Sequence, residues 1–297
     1  MILRRVQRIS LGLFIIIATL TFFSSRLNAE TQDEAENKPS QAIDSYVRYM
    51  PSRSVDAASG KVEIIESDAK YSYEFKAFDK LPVKLSIDNN YIGIESSLNS
   101  VELPAHLVGL TTDIETTVPF FHFSKTYLRI GISPSFYGDD WDFKASSFRI
   151  PSRYFLIYQP NDKWTFLSGV AVYPEFEIGV WPILGFIYKP NDKLVFNIIP
   201  KRPNITYALN DRISLFAEGG SALNSEFEVT RDNLKNIVLR YRETHLGAGI
   251  KFKLNQYIQT SISAGGMFNR YLKYKDSLGR VDIKDGLYTE FRVEIKS

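Results

Sequence analysis

The chain has 297 residues, with 36 Lys and Arg against 34 Asp and Glu, 44% hydrophobic residues, three His and no Cys. Near-neutral charge leaves no basic stripe for nucleic acid, and the missing cysteines exclude a disulfide framework and the usual structural zinc set. A mean hydropathy of −0.16 resembles that of a soluble protein, but a membrane β-barrel gives the same value because lipid-facing and lumen-facing residues average out.

Residues 1–29 read as a secretory signal peptide. Arg4, Arg5 and Arg8 precede an apolar run from Ile9 to Phe23, and a short polar stretch ends at Ala29. The run is short for a spanning helix. Cleavage after Ala29 would leave 32 basic and 34 acidic residues, a formal net of −2. Residues 30–60 are polar, keep no period and read as a mobile periplasmic segment. Over 61–81, Tyr71, Tyr73 and Phe75 alternate with polar residues, which marks an extra strand or an extension.

From Pro82 to the end, 82–297, the pattern predicts about twelve strands of an antiparallel up-and-down transmembrane β-barrel. Ten or fourteen strands also fit, since Pro182 interrupts an otherwise apolar strand and 203–209 is short for a crossing. A phrase recurs: Tyr158-Gln159-Pro160-Asn161-Asp162-Lys163 returns as Tyr188-Lys189-Pro190-Asn191-Asp192-Lys193. Asn210-Asp211-Arg212 and Asn255-Gln256-Tyr257 keep the rhythm. Pro, Asn and Asp suit tight turns, so each copy predicts a hairpin. Short turns near 123–125, 161, 191, 210 and 255 alternate with longer connections at 98–105, 137–145, 224–236 and 274–282. Short periplasmic turns facing longer outer loops are the pattern of outer-membrane barrels.

Period-two alternation is clearest near the end. Ile258, Thr260, Ile262, Ala264 and Phe268 point one way, while Gln259, Ser261, Ser263 and Asn269 point the other. Leu287, Thr289, Phe291, Val293 and Ile295 likewise oppose Tyr288, Glu290, Arg292, Glu294 and Lys296. Gly247, Gly249, Gly265 and Gly266 fall on neighbouring strands, where the wall bends or receives a bulky neighbour.

The motifs Leu103-Pro104-Ala105-His106-Leu107, Tyr-x-Pro-Asn-Asp-Lys, Tyr-Ala-Leu-Asn-Asp-Arg and Ala264-Gly265-Gly266-Met267-Phe268-Asn269-Arg270 together resemble an uncharacterised bacterial family of outer-membrane β-barrel proteins, a domain of unknown function. The resemblance extends over most of 80–297. It implies fold and outer-membrane location and brings no catalytic residues.

Motifs for nucleotide binding, zinc proteolysis or a nucleophile elbow are absent. Glu243 and His245 share a strand face, and pairing through the Asn255 turn would set His245 near Gly265, with Ser263 a diagonal step away. A Ser/His/Glu set of this kind is the constellation of a barrel-embedded lipid hydrolase; the plainer reading is lumen-filling polar groups. Glu243, Arg270, Glu290, Arg292 and Glu294 are candidate lumen charges that either set ion preference or pair off and close the bore. Asp139, Asp140 and Asp142 could hold a cation, or simply cap a solvated turn. Tyr158, Trp164, Phe166, Tyr188 and Tyr207 cluster beside the short turns as an aromatic belt.

The expected function is a porin-like passive channel or a structural barrel in the outer membrane, reached after export and without a cofactor. Its expected partners are outer-membrane lipid and, during biogenesis, the barrel assembly machinery, with no nucleic acid. The alternatives are the lipid hydrolase and a soluble periplasmic β-sandwich or lipocalin-like binding protein.

Overall fold

The computed structural model describes residues 40–297 except 57–58, 79, 100, 122, 142–143, 223–224, 232–233 and 276–277. The predicted signal peptide therefore lies outside the described residues. Fourteen antiparallel strands follow one another around a closed barrel. They are β1 (Ser40–Ser54), β2 (Lys61–Ala77), β3 (Leu81–Ser96), β4 (His106–Pro119), β5 (Thr126–Ile132, continuing as Ser135–Gly138), β6 (Phe148–Arg149 and Ser152–Asn161), β7 (Trp164–Val172), β8 (Val180–Tyr188), β9 (Leu194–Asn197), β10 (Asn204–Ala208), β11 (Ile213–Ser221 and Ser225–Arg231), β12 (Leu234–Lys253), β13 (Ile258–Tyr274) and β14 (Arg280–Ile283 and Gly286–Lys296). β14 pairs with β1, from Ala42↔Lys296 to Tyr49↔Thr289, and closes the cylinder. A single closed sheet replaces the two-layer sandwich kept open by the sequence.

The two strands beyond the expected twelve are β1 and β2. The reading of 30–60 as mobile is corrected over Ser40–Ser54, which forms a wall strand with a complete partner on each side. The segment 61–81 is one strand of that wall. Asn89 and Asn90 sit inside β3 without a register shift. The connection expected at 224–236 is instead mostly hairpin, since Ser225–Arg231 pairs with the start of β12.

The turn phrase is explained by its asparagine. The Oδ1 atoms of Asn161, Asn191, Asn210 and Asn255 each accept two backbone N–H groups, from the second and third residues on, at 2.8–3.0 Å. These N–H groups have no ladder partner at the tip of a hairpin, and the side chain supplies one. The fourth copy, which keeps least of the wording, keeps this atom.

Side chains alternate across the wall. Leu215, Ile250, Ile262, Phe291 and Val47 occupy one continuous row of register partners on the outer face. Leu85, Ile114 and Ile132 form another. Leu184 is 74% exposed and Leu246 63%, a pattern that suits hydrocarbon rather than water. Inner-face glycines accept large neighbours: a Cβ on Gly247 would lie 2.2 Å from the Tyr288 hydroxyl, and one on Gly249 2.8 Å from the Phe216 ring.

Strand lengths are unequal, and this shapes the molecule. About ten residues suffice for a tilted strand to cross a bilayer. β1 to β3 have 15, 17 and 16 residues and β12 has 20, whereas β9 has four and β10 five. At the loop end the surplus closes on itself. Where β6 stops, the distal part of β11 takes its place beside β5 through the parallel pair Glu228↔Gly138. The opposite seam is tied by Val55↔Ile283. Strands β11 to β14 and β1 to β5 thus form a smaller ring above the main barrel. Its interior is solid: Met50, Val62, Ile64, Leu107, Leu239, Met267 and Leu272 are all 0% exposed, with Phe227, Val229, Tyr241 and Tyr274 packed among them.

Candidate functional site

Immediately below this apolar plug the inner face turns charged. Arg48 on β1 is the hub. It reaches Glu290 on β14 through Nη2 at 2.7 Å and Nε at 3.0 Å, Glu243 on β12 at 3.0 Å and Glu66 on β2 at 3.3 Å. The Tyr46 hydroxyl donates to Glu66 at 2.7 Å, and the Tyr241 hydroxyl to Glu243 at 2.8 Å. Two residues further toward the loop end on these strands stand Met50, Ile64, Tyr241 and Tyr288. A step of two keeps the same face, so charge and oil meet across one layer.

The Pro200–Pro203 stretch between β9 and β10 folds into the lumen. A Cβ on inner-face Gly220 would lie 3.1 Å from the Lys201 carbonyl, and one on Gly185 3.2 Å from Pro200. Arg202 therefore reaches the inner face of the β11–β14 wall, bonding Glu218 on β11 at 2.7 Å and Glu290 on β14 at 2.6 Å. Five carboxylates in this layer, Asp44, Glu66, Glu218, Glu243 and Glu290, share the guanidiniums of Arg48, Arg202 and Arg292. A second hub lies three strands further round the wall, on β4. Asp113 receives Lys70 at 2.6 Å, Arg153 at 2.8 Å and the Ser133 hydroxyl at 2.6 Å.

Of the predicted lumen charges, Glu243 and Glu290 meet through Arg48. Arg292 holds Asp44 by two bonds, at 2.7 and 2.8 Å, and approaches Glu290 at 3.4 Å. Glu294 lies lower, beside Gln259 and Lys296. Arg270 does not join them. Asn269 takes φ 50° and shifts the β12–β13 register, which turns Arg270 inward among the plug residues, where Nη2 lies 3.6 Å from the Met50 sulfur. The bulge also corrects the simple alternation of β13, because Asn269 carries the odd residue at which the faces exchange.

The hydrolase constellation is not assembled. His245 pairs with Met267 rather than Gly265, since the Asn255 turn closes on Lys253↔Gln259 and Ser263 faces Gly249. Ser263 is four residues from His245's partner, on the order of 13 Å along the strand. Its hydroxyl donates to Glu218 at 3.2 Å. His245 instead places Nδ1 3.3 Å from Glu243 and Nε2 3.4 Å from Arg48, so it belongs to the charged layer. Asp139 caps the Thr230 N–H at 2.7 Å and Asp140 the Trp141 N–H at 2.7 Å; Asp142 lies outside the described residues. Tyr158, Phe166 and Tyr207 are exposed on the outer face near the short turns. Trp164 stacks on Tyr188 at 4.1 Å and on Phe166 at 5.3 Å.

These features define a class: a closed barrel of antiparallel neighbours with one parallel contact at its upper ring, apolar outside, charged within and plugged at one end. Residues 137–280 match a family described as a domain of unknown function (DUF6268). No curated protein matches the chain. Among solved structures it is similar to an outer membrane channel from Pseudomonas putida F1, at 10% identity and a TM-score of 0.48, over 90% of this chain and 100% of that one. It is also similar to a FadL homologue from Pseudomonas aeruginosa, at 12% identity and a TM-score of 0.45, over 88% of this chain and 90% of that one.

Proposed function

We propose that the protein is an outer-membrane β-barrel channel, a passive conduit whose axial route is shut at the loop end. The observation that carries this reading is the closed wall itself, oily outside on successive strands and charged inside. Such a wall is stable with hydrocarbon around it and water within. The plug distinguishes the protein from a general porin, because an apolar core packed without room for water passes no hydrated ion. Ser263 and His245 are too far apart to work as a nucleophile and its base, which favours a conduit over an enzyme.

Fractionated cells test the reading. The chain is expected in the outer membrane, migrating faster on a gel before boiling than after, as a closed barrel resists detergent. Recovery in the soluble periplasmic fraction, or identical migration of boiled and unboiled samples, would contradict it.

A further inference from the structure

We infer that the wall has a lateral portal between β8 and β11, through which small uncharged apolar molecules pass between the bilayer and the lumen. This deepens the channel reading and rests on it. β8 is paired with β7 along its whole length, from Val180↔Val172 to Tyr188↔Trp164. On its other side β9 meets it only at Ile187 and Tyr188, with one further bond from the Ile198 N–H to the Phe186 carbonyl at 2.8 Å. At Pro200 the chain leaves the wall for the lumen, and Lys201 takes φ 95°. From Val180 to Leu184, about 15 Å of strand, the edge of β8 has no strand beside it among the described residues.

The sequence suits a free edge. In an antiparallel strand the N–H and C=O of one residue point to the same side, and alternate residues share it. The Phe186 carbonyl points toward β9, so the nitrogen of Pro182, four residues earlier, points the same way. Proline has no N–H to leave unpaired there. This accounts for a residue that reads as an anomaly in the sequence.

The gap lies at bilayer depth. Strands of four and five residues, β9 and β10, are too short to cross hydrocarbon, so the wall above them is missing while its neighbours continue. With two strands stopped short, β8 and β11 stand about three strand spacings apart, roughly 14 Å. The roof is fixed: the Glu177 N–H donates to Glu226 at 3.0 Å, and Glu177 also pairs with Arg240, which ties the β7–β8 loop to the β11–β12 hairpin. Exposed backbone is tolerated at this depth only where it lines a filled cavity.

The surfaces on either side indicate what passes. Outside, a groove of about 660 Å³ lined by Leu156, Phe166, Leu184, Phe186 and Ile198 runs up to the edge. Inside, register places Phe155, Ile157, Leu167, Trp181, Ile183 and Ile187 on the lumen face of β6 to β8, opposite the charged layer. The axial route above is plugged, so the side of the barrel is the way through for an apolar molecule.

The test uses the full chain in cells, with uptake of 1-N-phenylnaphthylamine as the readout. Ile183→Cys places a lone thiol at the inner rim, and Val180→Cys a second one if the first does not fold by gel mobility. Labelling with pyrenylmaleimide is expected to slow uptake about tenfold relative to the same variant unlabelled, whereas labelling Thr206→Cys, lower in the lumen, leaves the rate unchanged. Equal uptake by labelled and unlabelled Ile183→Cys and Val180→Cys would overturn the portal. If the wild type speeds uptake of a small sugar but not of the apolar probe, the portal falls and the channel stands. If it speeds neither, both fall.

Discussion

Removing residues 223–240 and joining 222 to 241 through a short Gly-Ser linker is expected to turn an electrically silent barrel into a conducting one. The β11–β12 hairpin supplies Phe227, Val229, Ile237 and Leu239 to the plug and closes the upper ring through Glu228↔Gly138. Without it the ring is open between β5 and β12 and the plug loses one side, leaving a path from the turn-end lumen to the outside. In planar bilayers the deletion should show ohmic steps at least tenfold larger than any from the wild type. Large steps from the wild type itself would mean that the plug does not seal.

Arg48→Met should destabilise the barrel by about 3–5 kcal/mol, because it leaves buried carboxylates without their counter-charge. Glu243 loses its guanidinium and Glu290 keeps only Arg202 and Arg292. Urea unfolding in lipid vesicles, followed by gel mobility, reads the loss. Adding Glu290→Gln should recover part of it, since one buried charge is then removed along with its partner. An unchanged midpoint for Arg48→Met would show that the layer is solvated rather than buried.

Much of this was legible in the residues. The Pro-Asn-Asp-Lys phrases located hairpins correctly because one atom, Asn Oδ1, does the same job in each. The alternation of Leu287–Ile295 placed Glu290 and Arg292 inside. Arg48, Glu66 and Arg202 were missed, and for separable reasons. β1 does alternate, with Ile43, Val47 and Tyr49 outward and Asp44, Tyr46 and Arg48 inward. At Met50, however, its inner face changes from charged to apolar, so the two faces cease to differ in polarity just where the strand enters the plug. The same change hides β2 beyond Glu66. Arg202 lies on a chain segment that leaves the wall, and no periodicity marks such a departure. The pairing of His245 with Met267 was two residues from expectation because the Asn255 turn is one of the longer hairpin connections. Arg270 reaches the interior through a bulge at Asn269 that alternation alone cannot announce.

The proposed channel is a closed cylinder with hydrocarbon outside and water in the turn-end lumen. A chain without cysteine allows it to be tested one position at a time with a water-soluble maleimide on barrels in lipid vesicles. Thiols at Ile87, Leu156, Leu215 and Ile262, spaced around the outer face, should stay unlabelled, and thiols at Arg129 and Lys251 on the lumen face should react. Rapid labelling of any one outer sector while the lumen positions stay silent would show that the sheet faces water where the oily girdle should be.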